Sequence, residues 1–158
     1  MVNYAGTTAV VAGPLSNRTV FSKPDVTATT QGGAWTTANN GLTLFTITGF
    51  VRFRVFGRVT TAITSTAGTG TLGITNTAAA TTMIAATTAN GTTNFILNSV
   101  WQDNAPTLVT KAFASANDLG WLSGTTNIIL AIVTNNMTAG GMDIVCEWTP
   151  LTAGSTVV

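Results

Sequence analysis

Residues 50–56 alternate without a break: Val51, Phe53 and Val55 point one way, Arg52 and Arg54 the other. A period of two is the signature of a strand with one face buried. The same alternation returns over residues 142–148, with Met142, Ile144, Cys146 and Trp148 inward and Asp143, Val145 and Glu147 outward. Roughly a fifth of the residues are threonine, and a β-branched side chain favours extended backbone. No strong helical period competes with this pattern. The chain is therefore expected to bury its core between sheets.

Further strands are expected over 42–48, closed by Gly49, and over 71–75, 82–87 and 95–101. Val59 and Ile63 carry the apolar face of the 50–56 strand onward, past Gly57, which reads as a bulge or bend. Residues 127–134 are apolar on both faces. That suits a central strand covered on both sides, or one with a face buried by another subunit. Asn135-Asn136 and Gly140-Gly141 read as turns, and Pro150 ends the last ladder. Residues 108–116 read as a helix, from the spacing of Leu108, Val109, Ala112, Phe113 and Ala116 with Gly120 as its stop, or equally as an irregular loop. Short strands with frequent turns define an all-β chain, a single β-sandwich or jelly-roll domain.

Residues 1–38 differ from the rest. They contain Gly13-Pro14, Lys23-Pro24 and Gly32-Gly33 and few large apolar side chains, too little to fold alone. Yet Tyr4, Leu15, Phe21 and Trp35 are scattered through them. The segment reads as an extended N-terminal arm that orders on a neighbouring subunit, leaving 39–158 as the β domain.

Charge is scarce. The 158 residues include no histidine, one cysteine and 7% charged residues, with a net charge of +1. A Ser-His-Asp or Cys-His site needs a histidine, and a zinc site needs more nitrogen or sulfur ligands than this chain has. Cys146 has no cysteine to pair with and reads as a small buried hydrophobe. Residues 68–73 spell GxGxxG. No helical pattern follows, and no acidic residue stands at the required spacing, so they read as a turn between strands. Asp143 and Glu147 share a strand face, but that spacing is about 13 Å, beyond the roughly 5–9.5 Å of a glycosidase pair. Asp103 and Asp118 remain the carboxylates on which a carbohydrate-active enzyme would depend, or a weak calcium site. No cofactor and no metal are expected. The longest strongly apolar run, 128–133, is far short of a membrane span.

Arg52, Arg54 and Arg58 supply half of the positive charge and share one strand face. They fit a solvated face or an interface that pairs them with a partner's carboxylates better than a phosphate-binding stripe. Trp148 reads as core. Trp35, Trp101 and Trp121 are candidate interface anchors, with plugs at the ends of the sandwich as the alternative. The expected interface set is thus Tyr4, Leu15, Phe21, Trp35, Arg52, Arg54, Arg58, Trp101 and Trp121.

Several segments carry a resemblance in their order along the chain. They are Leu44-Phe45-Thr46-Ile47-Thr48-Gly49 running into Val51 and Val59-Thr60-Thr61-Ala62, then Gly70-Thr71-Leu72-Gly73-Ile74, then Met83-Ile84-Ala85-Ala86-Thr87-Thr88 and Val100-Trp101-Gln102-Asp103. Met137-Thr138-Ala139-Gly140 leading into Val145-Cys146-Glu147-Trp148-Thr149-Pro150-Leu151 completes the set. Over about residues 40–152 the chain resembles small virion proteins of tailed bacteriophages and is similar to jelly-roll capsid cement (decoration) proteins. The resemblance implies a structural role without active-site residues. The expected partners are the major capsid protein and further copies of the chain, as a homodimer or homotrimer, with no nucleic acid and no membrane. The protein would be made in the host cytoplasm and reside on the capsid surface. A tail or head fibre module that binds the host surface is the alternative.

Overall fold

In the computed structural model the backbone is described for residues 19–27, 35–77, 82–102, 107–108, 120–122 and 124–158, and side chains for 35–77, 82–102 and 124–158. The strands are β1 (Thr19–Thr27), β2 (Leu42–Thr48), β3 (Val51–Ser65), β4 (Thr71–Asn76), β5 (Thr82–Thr88) and β6 (Ser99–Trp101), followed by β7 (Thr107–Leu108), β8 (Gly120–Leu122), β9 (Thr125–Val133), β10 (Met137–Pro150) and β11 (Thr156–Val157). Two short 3-10 turns, Thr37–Asn39 and Thr66–Gly68, are the helical elements among the described residues.

All pairings are antiparallel and form two sheets. One sheet runs β1-β10-β3-β6-β7, with β8 also on β3; the other runs β11-β2-β9-β4-β5. The chain crosses between sheets so that β1-β10-β3-β6 faces β2-β9-β4-β5, the strand order of a jelly roll. The all-β sandwich expected from the sequence is the observed fold.

The core lies between the sheets, and alternation builds it. Val51, Phe53, Val55 and Val59 of β3, with Met142, Ile144, Cys146 and Trp148 of β10, line one side. Phe45 and Ile47 of β2, Ile128, Leu130 and Ile132 of β9, and Leu72 and Ile74 of β4 line the other. Gly57 does not break β3, which runs straight through it opposite Ile144. A Cβ there would lie 3.2 Å from the Met142 sulfur and 3.7 Å from the Trp101 ring. The missing side chain leaves room chiefly for the Met142 sulfur, while Trp101, the cross-strand partner of Gly57, would meet that Cβ at ordinary contact distance. Trp101 in turn meets Phe95 edge-on, with ring centroids 5.0 Å apart.

Several boundaries differ from the sequence expectation. Residues 19–27 and Trp35, read as arm, belong to the sandwich: β1 is the edge strand on β10, and Trp35 is buried. The strand expected over 95–101 is only β6; Phe95 and Asn98 adopt positive φ, which ends the extended backbone there. Turn residues Asn135 and Asn136 do connect β9 to β10, but Gly140-Gly141 lies within β10 at a shift of register. The GxGxxG stretch is a link from a 3-10 turn into β4. The helix expected over 108–116 lies mostly outside the described residues; its first residue, Leu108, ends β7.

Two glycines are required by geometry. Gly49 turns β2 into β3 at φ +83, and a Cβ there would lie 2.5 Å from the Ser155 hydroxyl. That hydroxyl accepts from the Phe50 N–H at 3.1 Å and sits 3.0 Å from the Phe50 carbonyl, to which it donates. Gly140 adopts φ +122, and a Cβ there would lie 2.5 Å from the Ile63 Cα. Replacing Gly140 with Ala should cost about 2–4 kcal/mol in denaturant unfolding, from a strained φ plus a backbone collision. Gly154→Ala, at φ +80 with nothing within 4 Å, should cost only about 1 kcal/mol. Equal losses would contradict the collision.

Candidate interaction surface

The two sheets present unlike outer faces. On the six-stranded sheet, Arg52, Arg54, Phe56 and Arg58 of β3 lie opposite Thr149, Glu147, Val145 and Asp143 of β10. The Arg54 guanidinium is 3.3 Å from the Glu147 carboxylate, and that of Arg58 is 2.9 Å from Asp143. Arg54 also lies 5.3 Å from the centroid of the Phe56 ring. The expected arginine stripe is present, but the carboxylates that meet Arg54 and Arg58 come from β10 of the same chain, not from a partner. The reason is register. The two arginines and the two carboxylates are each four residues apart on antiparallel strands, so aligning one pair aligns the other. The Asp143/Glu147 spacing read as failed acid-base geometry is the complement of the arginine spacing.

The five-stranded sheet contains no charged residue in any of its strands. Register sets rows of hydroxyl and aliphatic side chains across its outer face: Thr43 beside Ile129, Ile129 beside Thr75, and Thr71 between Val133 and Thr88. Val133 is 43% exposed there. Strand β9, apolar on both faces in the sequence, is central in this sheet. One of its faces packs in the core and the other remains only half-covered by its own chain.

The remaining expected interface residues divide by position. Trp101 and Trp35 have 0% and 1% of their surface exposed and belong to the core, so neither offers an anchor to a partner. Their indole nitrogens meet no hydrogen-bond acceptor among the described residues. Phe21 stands opposite Cys146 in the ladder and Trp121 opposite Arg52. Tyr4 and Leu15, with Asp103 and Asp118, lie outside the described residues.

Cys146 is fully buried, and burial, with a smaller contribution from the Glu147 charge, pushes its thiol far above the ordinary range. It is held as a neutral hydrophobe, as its alternation suggested. Among the described residues no three His, Cys, Asp or Glu side chains come together as a metal site. No helix among them is long and apolar enough to cross a membrane. Comparison of the chain with family models, curated proteins and solved structures gives no match.

The two ion pairs should differ in strength. The Arg54 and Glu147 side chains are 16% and 19% exposed, those of Arg58 and Asp143 60% and 23%. Double-mutant cycles should give a coupling of about 1 kcal/mol for the first and roughly 0.3 kcal/mol for the second. Molar salt should remove most of the second and less of the first. A larger coupling at Arg58 would reverse this order.

Proposed function

We propose that the protein is a structural component of a tailed-bacteriophage virion, a capsid cement (decoration) protein that bridges and stabilises major capsid subunits. The observation that carries this reading is the segregation of charge: every charged residue in the described strands lies in one sheet, while the other sheet has none. A charge-free face of hydroxyl and aliphatic side chains can be buried against a neighbour without the cost of desolvating ions. The jelly roll supports the reading, since it serves viral capsid proteins, although it also serves lectins and other functions. The order of segments over residues 40–152 supports it as well.

In this proposal the action is mechanical. The uncharged sheet face seats on the major capsid protein, and copies associate as dimers or trimers. Binding the assembled shell and not its dispersed subunits stabilises the shell by mass action. No nucleic acid, membrane or cofactor takes part.

Location and copy number in a virion map test the proposal. Copies covering the shell are the expected result; a few copies at the tail would instead make the protein a fibre module and overturn it. Val133→Glu should leave the thermal midpoint of the free protein nearly unchanged and weaken binding to shells at least tenfold, about 1.4 kcal/mol or more. Unchanged binding would exclude this face as the contact. A glycan-cleaving activity abolished by Asp103→Asn with Asp118→Asn would replace the structural reading with an enzymatic one.

A further inference from the structure

Register leaves one arginine of the stripe without a counter-charge. Arg54 and Arg58 stand opposite Glu147 and Asp143, but Arg52 stands between Thr149 of β10 and Trp121 of β8. Neither neighbour supplies a carboxylate, and the Arg52 guanidinium makes no ion pair or hydrogen bond among the described residues. The outer face of this ladder therefore carries three arginines against two carboxylates, an excess of one positive charge. Arg52 is also half-buried, so water compensates its charge only in part. Beside it the surface turns apolar. Phe50, two residues before Arg52, and Leu151, two after Thr149, are joined by the Leu151 N–H, which donates to the Phe50 carbonyl at 2.9 Å. They are 38% and 39% exposed. A step of two residues along extended backbone is about 7 Å, which sets the spacing between the uncompensated cation and the exposed apolar pair.

We propose that this end of the six-stranded sheet is a docking site for an extended segment of another protein, one that carries a carboxylate and, two residues along, a large apolar side chain. The carboxylate pairs with the Arg52 guanidinium, and the apolar side chain covers Phe50 and Leu151. Charge selects the occupant. A basic or neutral segment would cover Arg52 and leave it without a partner. A second copy is the poorer occupant. Among the residues with described side chains its acidic groups are Asp143 and Glu147, and each already meets an arginine of its own chain. The site lies on the sheet opposite the uncharged face and does not depend on the virion reading.

The test is a titration of the isotope-labelled full chain with the blocked peptide acetyl-Glu-Thr-Leu-amide, followed by NMR at the Arg52 side-chain Nε–H and the Leu151 backbone N–H. Both signals should move saturably. The neutral peptide acetyl-Gln-Thr-Leu-amide should bind about fivefold more weakly or worse, and so should the acidic peptide to Arg52→Gln and to Leu151→Ser. The Arg58→Gln variant, which keeps Arg52, should bind as the native chain does. Arg52→Gln breaks no ion pair and should keep the thermal midpoint of the native protein. A large fall in that midpoint would give Arg52 a structural partner and overturn the site. So would the absence of a saturable shift, equal affinity for the two peptides, or an equal loss in Arg58→Gln. Movement of the same signals on concentrating the protein alone would also overturn it, by seating a second copy there.

Discussion

The antiparallel ladder between β3 and β10 is the constraint from which the rest of the molecule follows. It joins the two longest strands, from Met137 opposite Ser65 to Pro150 opposite Val51. One alignment does two tasks. It sets Val55 beside Cys146 and Phe53 beside Trp148 on the core side, and Arg54 beside Glu147 and Arg58 beside Asp143 on the outer side. A slip of one residue would turn the apolar row to solvent and bury the charges. Each face thus enforces the register that the other requires. The bulges near Gly140 and Gly141 absorb the curvature at the far end, where β10 passes close to Ile63.

Charge pairing on one sheet gives meaning to its absence from the other. With so few ionic groups, the chain pairs two of the three arginines of β3 with both carboxylates of β10 across a single ladder. The five-stranded sheet relies on hydroxyls for contact with water, and β5, Thr-Met-Ile-Ala-Ala-Thr-Thr, its last strand among the described residues, has none of the lysine, proline or inward charge that commonly guards a sheet edge. A sheet of this kind is better suited to lasting contact with neighbours than to an isolated existence at high concentration, and it is the physical basis of the proposed cement role.

Much of the sandwich was legible because burial on one face writes a period of two into the sequence. The central parts of β3 and β10 were readable from that pattern, and the inward set of Ile144, Cys146 and Trp148 with them; β9 was readable as an apolar run, and β2, β4 and β5 as short threonine-rich runs. Where the pattern was read wrongly, local chemistry had stood in for tertiary context. Gly57 looked like a bend because glycine often is one, but it stays in the strand and gives room to Met142 of the neighbouring strand. Gly140-Gly141 looked like a turn, but it permits close passage of two strands. Trp35 looked like an anchor on an arm because its own segment is polar, while its burial comes from residues distant in sequence.

The sequence by itself determined that the chain is all-β, that it carries no histidine for catalysis or metal binding, and which faces of the main strands turn inward. These are local properties, fixed by residue type and by the two-residue repeat of extended backbone. Only the tertiary structure decided which strands are neighbours. Pairing partners such as β1 and β10 lie more than a hundred residues apart, and nothing local encodes that choice. It decided that β1 and Trp35 join the sandwich, that Arg54 and Arg58 of the arginine stripe are met by carboxylates of their own chain, and that the charges of the described strands gather on one sheet and leave the other bare.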